Sequence, residues 1–225
     1  MTLQLDGSRR MPQHGRPDAL VLLVHGYGAS GEDLIGLADH WRELLPHAAF
    51  VAPNAPEPMP FAGFGGFQWF ALTDRSSEER WEGTQKAAPV LQRFIDDELA
   101  RLALHPSRLA LVGFSQGTML SLHVGLRLAQ SPAAVLGYSG VIAGPEHLAT
   151  ARAGRFAGDQ PPILLVHGAD DDVIPADALP YTTNALAEAG IASSWHLSPG
   201  LGHGIDMQGL ALGGRFLVQA LSQPT

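Results

Sequence analysis

Four short runs of uninterrupted apolar residues most narrowly limit what this chain can fold into. They occupy residues 19–24, 48–52, 109–112 and 163–166. Apolar character at every position, rather than at every second one, indicates strands that are covered on both faces, as in a parallel sheet. Because ligands bind at the carboxyl ends of parallel strands, we expect the residues that carry chemistry to follow these runs directly.

Helical patterns separate the apolar runs. Residues 89–102 place apolar side chains three to four positions apart, with most of the charged side chains on the other side. Pro89 suits the first turn of this helix, although the pattern also allows a helix that begins earlier and is kinked there. Residues 179–189, closed by Gly190, and residues 205–221 predict two further helices. Alternating strands and helices predict an α/β fold, with a doubly wound, mostly parallel sheet and helices on both faces.

The composition excludes several classes of protein. With 45% hydrophobic residues and no polar linker, residues 1–225 suit a single domain with a substantial core. The absence of cysteine rules out disulfides, thiolate metal sites and a cysteine nucleophile. A net charge of −8 disfavours nucleic acid as a partner. Residues 1–15 lack an apolar segment of signal-peptide length, so we expect a cytoplasmic protein without a membrane span.

A Gly-x-Ser-x-Gly motif follows the third apolar run and precedes an apolar helical segment at 118–129; it consists of Gly113, Phe114, Ser115, Gln116 and Gly117. In a sharp strand-to-helix turn, the two glycines leave room around a nucleophile whose hydroxyl is lifted into the open. The N-terminus of the following helix favours developing negative charge. A glycine-rich chain can match this motif by chance, but the flanking strand and helix are the context that it requires. We therefore predict that Ser115 is a nucleophile.

A serine hydroxyl needs a base at neutral pH, and His203 is the best candidate among the ten histidines. It lies in a glycine-dense loop at 200–204, between a strand-like segment at 194–197 and the last helix. Flanking glycines allow the imidazole to approach another backbone closely. The position also supplies the last member of the order Ser, acid, His that accompanies this turn.

The acid that orients the histidine is expected after the fourth apolar run, where Asp170, Asp171 and Asp172 stand in a row. At least two of the three are expected to form turns or to cap a helix. One carboxylate must instead hold the imidazole in the correct tautomer and stabilise the imidazolium. Spacing alone does not choose among them.

Two other loops offer candidate site residues. The first run is followed by small residues that would let backbone N–H groups point into the site, and Ser30 with Asp33 has the spacing of a capping box. No Gly-Lys-Ser/Thr ending supports a phosphate-binding loop there. Residues 58–70 are rich in aromatics, which either pack on one another or form an apolar pocket for an acyl chain; the pocket residues would be Phe64, Trp69 and Phe70. The same aromatics are compatible with a homodimer contact.

These segments together resemble the carboxylesterase/phospholipase family of small α/β hydrolases, which also contains acyl-protein thioesterases. The resemblance covers nearly the full length, and the segments that carry it are His25-Gly26-Tyr27-Gly28, Pro53-Asn54-Ala55-Pro56, Trp69-Phe70, Gly113-Phe114-Ser115-Gln116-Gly117, His167-Gly168 through Asp171 to Val173-Ile174-Pro175, and Gly202-His203-Gly204. It implies an α/β-hydrolase fold. The family commonly has an Asp after the Trp-Phe pair, whereas this chain continues with Ala71-Leu72.

The resemblance also implies residue roles that spacing leaves open. The acid would be Asp171, four residues after His167, and the oxyanion hole would be formed by the backbone N–H groups of Tyr27 and Gln116. A donor directly after the nucleophile and a second donor from an early strand-to-helix loop agree with the general rule for this turn.

We therefore expect a serine carboxylesterase that cleaves small-molecule or lipid esters through Ser115, His203 and Asp171. No metal or organic cofactor is expected, because the chain has no His-Glu-x-x-His motif and no dinucleotide fingerprint. The alternative is an acyl-protein thioesterase or a lysophospholipase. A non-catalytic binding module on the same fold is a remote alternative, since all three triad positions are filled.

Overall fold

The computed structural model describes residues 5–59, 66–152 and 160–222. Within these ranges the strands are β1 (Gly7–Arg10), β2 (Ala19–Val24), β3 (Ala48–Pro53), β4 (Glu57–Pro58), β5 (Phe67–Gln68), β6 (Leu109–Phe114), β7 (Ala134–Tyr138), β8 (Ile163–Gly168) and β9 (Ser194–Ser198). The helices are α1 (Gly31–Ile35), α2 (Leu37–Trp41), α3 (Ser77–Leu102), α4 (Gln116–Gly125), α5 (Leu148–Arg152), α6 (Ala178–Glu188) and α7 (Met207–Leu221). Among these helices, none combines the length and the apolar character that a membrane crossing requires.

Seven of the described strands form one sheet in the order β1-β3-β2-β6-β7-β8-β9. Strand β1 is antiparallel to β3, and every other neighbouring pair in the sheet is parallel. The four apolar runs form β2, β3, β6 and β8, which confirms the mostly parallel sheet predicted from them. Their residues are buried along the whole length because helices cover both sides.

Helices lie on both faces of the sheet, as predicted. Along β2, Leu20, Leu22 and Val24 pack in one hydrophobic cluster with apolar residues of α3, α4 and α6. Val21 and Leu23 alternate with them and pack on the other face with residues of α1, α2 and α7. This alternation is the period-two geometry of a strand, and it divides the core into two layers.

The long helix α3 begins twelve residues before Pro89, so the earlier start that the pattern allowed is the one observed. The Oγ of Ser76 accepts a hydrogen bond from the backbone N–H of Glu79 at 3.1 Å and caps the first turn. Apolar periodicity did not reveal this part of the helix because its first two turns, Ser-Glu-Glu-Arg-Trp-Glu-Gly, are mostly polar.

Two strands of the large sheet were not predicted. Strand β7 is buried throughout but has only five residues, one of which is Gly137, so its apolar run is short and interrupted. Strand β1 reads Gly-Ser-Arg-Arg and is only half buried, since it lies at the edge of the sheet. Its pairing with β3 depends on backbone groups, which leave no mark in the hydrophobic pattern.

Candidate active site

Ser115 lies in the turn between β6 and α4, where its backbone adopts φ 54° and ψ −115°. A side chain in such a region costs about 1–3 kcal/mol, and the surrounding structure must stabilise it. The N–H of Ser115 donates to the carbonyl of Tyr138 at 2.9 Å, while its own carbonyl accepts from the N–H of Thr118 at 2.9 Å. These bonds anchor the turn between strand β7 and the first turn of α4.

The two glycines of the motif are required by close backbone contacts. A Cβ atom on Gly117 would overlap the carbonyl group of Val24, the last residue of β2. A Cβ on Gly113 would lie 2.5 Å from the Cα of Thr118. The turn therefore brings β2, β6 and α4 together more closely than any side chain would allow.

His203 and Asp171 come together from the loops that follow β9 and β8. The Nδ1 atom of His203 lies 2.8 Å from Oδ2 of Asp171. The other carboxylate oxygen, Oδ1, accepts the backbone N–H groups of Val173 and Ile174, each at 2.9 Å. Both oxygens of Asp171 are therefore held, and the side chain is fully buried.

The carboxylates on either side of Asp171 do not contact His203. Asp170 and Asp172 are exposed to solvent. The backbone N–H of Asp170 donates to the carbonyl of Leu201 at 2.9 Å, which connects the loop after β8 with the loop that carries His203. Of the three consecutive acids, Asp171 is the one that contacts the imidazole.

Hydrogen bonds keep Asp171 ionised. Burial alone would raise the pKa of this carboxyl, but the hydrogen bonds from His203 and from the N–H groups of Ile174 and Val173 outweigh burial and lower the pKa below its ordinary value. The carboxylate therefore accepts the Nδ1–H of His203, and the tautomer with a free Nε2 is the one that can accept a proton.

A cavity of about 350 Å³ opens beside these residues. Ser115 and His203 both border it, together with Tyr27 and the ring of Phe114, whose centroid lies 5.0 Å from that of His203. The remaining wall is mostly apolar and comes from Leu72, Met119, Val141, Val173, Ile174 and Pro175, with Arg75 and Arg80 as its charged members. An apolar cavity with a few polar groups is typical of a small-molecule site.

Of the two predicted oxyanion donors, Tyr27 borders this cavity, and Gln116 directly follows Ser115, which also borders it. Gln116 is the first residue of α4, and Tyr27 stands in the loop between β2 and α1. Among the described residues, no acceptor satisfies the backbone N–H of either one. The loop of Tyr27 continues to Ser30 and Asp33, which form the predicted capping box at the start of α1.

The structure corrects the predicted pocket at Trp69 and Phe70. Both side chains are buried in the core and neither borders the cavity. The backbone N–H of Trp69 donates to Oε1 of Gln116 at 2.9 Å, and Nε2 of Gln116 donates to the carbonyl of Phe70 at 2.8 Å. Trp69 and Phe70 therefore stabilise the turn that carries Ser115 by holding the side chain of Gln116. Phe64 lies outside the described residues.

A buried histidine, His25, links the same supporting residues; the sequence marked it only as part of the segment His25-Gly26-Tyr27-Gly28 and assigned it no role. Nε2 of His25 accepts the N–H of Ala55 at 2.9 Å, and its Nδ1 lies 2.7 Å from the carbonyl of Gly26. The indole N–H of Trp69 donates to the carbonyl of His25 at 3.0 Å. Burial lowers the pKa of His25, so the ring stays neutral and holds the Tyr27 loop in place.

The sheet, the strained turn that carries Ser115 and the histidine–carboxylate pair beside it define an α/β hydrolase. A family model described as phospholipase/carboxylesterase matches residues 10–220. The chain belongs to this family, as the sequence resemblance implied, and it is a hydrolase of ester or thioester bonds.

Several proteins with known names are similar to this chain. Esterase PE8, whose crystal structure is known, is 38% identical, with a TM-score of 0.88 over 97% of this chain and 100% of that one. Acyl-protein thioesterase 1 of Schizosaccharomyces pombe is 31% identical over 163 residues, which cover 70% of either chain. Acyl-protein thioesterase 1 of Gibberella zeae is 26% identical over 204 residues, or 85% of this chain and 86% of that protein.

Proposed function

We propose that this protein is a serine carboxylesterase that uses Ser115, His203 and Asp171 as a catalytic triad. One observation carries the proposal: Ser115 and His203 border the same apolar cavity, and His203 Nδ1 lies 2.8 Å from the buried carboxylate of Asp171. The similarity to esterase PE8 supports an ester substrate.

The proposed reaction transfers an acyl group to water. Ser115 Oγ attacks the ester carbonyl carbon while Nε2 of His203 takes the hydroxyl proton. The N–H groups of Tyr27 and Gln116 stabilise the oxyanion, and His203 then returns the proton to the leaving alcohol. Water attacks the acyl-enzyme by the same steps, which releases the carboxylic acid and regenerates Ser115.

The test is hydrolysis of p-nitrophenyl esters of increasing chain length, together with labelling by a fluorophosphonate. Ser115→Ala should lower kcat about a millionfold and abolish labelling, because the nucleophile is removed. His203→Ala should lower kcat by a similar factor.

Ser121→Ala is the matched control, since Ser121 lies on the same helix α4 and its buried Oγ has no described hydrogen-bond partner. This variant should keep the wild-type rate. Substantial hydrolysis by Ser115→Ala would contradict the assignment, and a wild type that neither hydrolyses esters nor reacts with the fluorophosphonate would favour a binding module.

A thioesterase is the second candidate, and it is favoured by the relatives named acyl-protein thioesterase 1. The test compares kcat/KM for a hexanoyl oxygen ester and for the corresponding hexanoyl thioester under the same conditions. A kcat/KM that is higher for the thioester, after correction for the uncatalysed rates, would favour this candidate over the carboxylesterase.

A further inference from the structure

Two arginines border the cavity that contains Ser115 and His203. Arg75 lies in the segment before α3, and Arg80 lies in the first turns of that helix. Most of the other side chains around the cavity are apolar. Two positive charges at this place are notable because the chain as a whole carries a net charge of −8.

Neither guanidinium has a carboxylate partner among the described residues. Glu79, which directly precedes Arg80, has both oxygens occupied by backbone donors. Its Oε1 accepts the N–H of Thr73 at 2.6 Å, and its Oε2 accepts the N–H groups of Asp74 and Arg75 at 3.1 and 2.8 Å. The adjacent Asp74 accepts the N–H of Ser76 at 2.8 Å. The arginine charges are therefore available to a ligand.

The backbone that carries Arg75 is held in one conformation. Its φ of 58° is left-handed, a region that glycine adopts freely and that costs free energy for a residue with a side chain. Oε2 of Glu79 fixes its N–H, and Nη1 of Arg80 donates to its carbonyl at 2.5 Å. Arg80 retains further N–H donors for another acceptor. The two arginines thus form a connected unit at the border of the cavity.

We propose that Arg75 and Arg80 bind a carboxylate on the substrate, so that the preferred ester is a half-ester or another ester with a second, anionic end. The guanidinium groups would pair with this carboxylate, and the apolar wall would contact the methylene chain between it and the scissile bond. This inference rests on the proposed function, because it assigns the ester bond to Ser115.

The test compares esters that differ by one carboxylate. The first pair is mono-p-nitrophenyl adipate and p-nitrophenyl hexanoate, in which the charge is on the acyl side. The second pair is 4-carboxyphenyl hexanoate and phenyl hexanoate, in which the charge is on the alcohol side. Wild type should prefer the anionic member of at least one pair, and that pair identifies the side of the ester that the arginines bind.

Arg75→Gln and Arg80→Gln should each lower the ratio of kcat/KM for the anionic ester to that for the neutral ester about tenfold, because each removes one charge-assisted contact. Arg75→Lys should retain most of the ratio, since it keeps the charge. Arg93→Gln is the control, because Arg93 is exposed on the same helix and away from the cavity, and the variant changes the net charge equally. Its ratio should equal that of wild type.

The carboxylate site is overturned if the ratio of kcat/KM for the anionic ester to that for the neutral ester stays at the wild-type value in Arg75→Gln and Arg80→Gln, in both pairs. In that case, hydrolysis of the neutral esters still upholds the proposed function. If wild type hydrolyses no ester, the proposed function fails, and binding of monomethyl adipate decides the inference separately. A rise in Tm with monomethyl adipate that exceeds the rise with methyl hexanoate, and that is lost in Arg75→Gln, supports the site. The absence of such a rise overturns it.

Discussion

Asp171 differs from its two acidic neighbours in the contacts of its oxygens. One oxygen pairs with His203, and the other accepts two backbone N–H groups, so the carboxylate is fixed and its pKa is lowered. Asp171→Asn would place an amide opposite Nδ1 and favour the tautomer in which Nε2 carries the proton. We expect kcat for p-nitrophenyl esters to fall about ten-thousandfold, in line with the effect of this substitution in other triads.

Asp170→Asn and Asp172→Asn are the matched controls for this prediction, because both side chains are exposed. Each should keep kcat within a small factor of wild type. A larger loss in either control than in Asp171→Asn would mean that the carboxylate has been assigned to the wrong residue.

The residues of the candidate site differ in how well the sequence predicts them. Ser115 is marked by a motif whose glycines have a steric reason, and His203 by a glycine-rich loop in the expected order. Asp171 could not be separated from Asp170 and Asp172 by spacing, since the choice depends on which side chain turns inward. The cavity wall was misjudged at Trp69 and Phe70, because apolar character does not distinguish a core residue from a pocket residue.

The unit formed by β6, the Ser115 turn and α4 depends on its contact with the end of β2. Gly117→Ala would place a Cβ atom against the Val24 carbonyl and push α4 away from the sheet. The backbone N–H of Gln116 belongs to the same turn, so oxyanion stabilisation should suffer as well. We expect a loss of kcat of about a hundredfold or more, since one misplaced oxyanion donor has an effect of this size, together with a lower Tm.

Gly36→Ala is the control for a glycine replacement in a helix. A Cβ there meets no other atom within 4 Å, and the backbone is already helical with φ −58° and ψ −22°. This variant should leave kcat unchanged and raise the free energy of unfolding by about 0.4–1 kcal/mol. Wild-type kcat in Gly117→Ala would show that the contact with Val24 is not needed.

Strands and helices were predictable where their residues are buried, because buried positions are apolar. Strand β2 was predicted with its observed bounds, because all six residues are buried. The start of α3 stayed open between Pro89 and an earlier position, because its first turns are polar and Ser76 as a cap is a weak signal beside Pro89. The segment before α3 that carries Arg75 has no motif, since its conformation depends on the bonds that Glu79 makes to three backbone N–H groups.

At the scale of the whole molecule, the sequence predicts the doubly wound sheet because its strands are apolar at every position and alternate with helices. Successive side chains of such a strand enter the two core layers in turn. The hydrophobic pattern does not predict which polar side chains are buried where the helices pack. His123 on α4 is one of them: its Nδ1 is buried without a described partner, and its ring centroid lies 5.3 Å from that of Trp81 on α3.

His123 makes the stability of the protein sensitive to acid. Burial, and secondly the charge of Arg127, lowers the pKa of His123 from 6.5 to about 3. The unfolded chain protonates this residue below pH about 6.5, whereas the folded chain does not until near pH 3. Since the unfolded state binds the extra proton, stability present at neutral pH is lost as the pH falls through this interval.

His123→Phe removes the titratable imidazole and keeps an aromatic ring beside Trp81. Between pH 7 and pH 5, wild type should lose about 2 kcal/mol more of its free energy of unfolding than the variant does, because only wild type gains the proton on unfolding. The measurement is urea denaturation at several pH values, with pH 8 as the reference at which the histidine is neutral in both states. Parallel pH profiles for the two proteins would show that His123 is protonated in the folded chain, which would contradict its burial as the cause of the acid sensitivity.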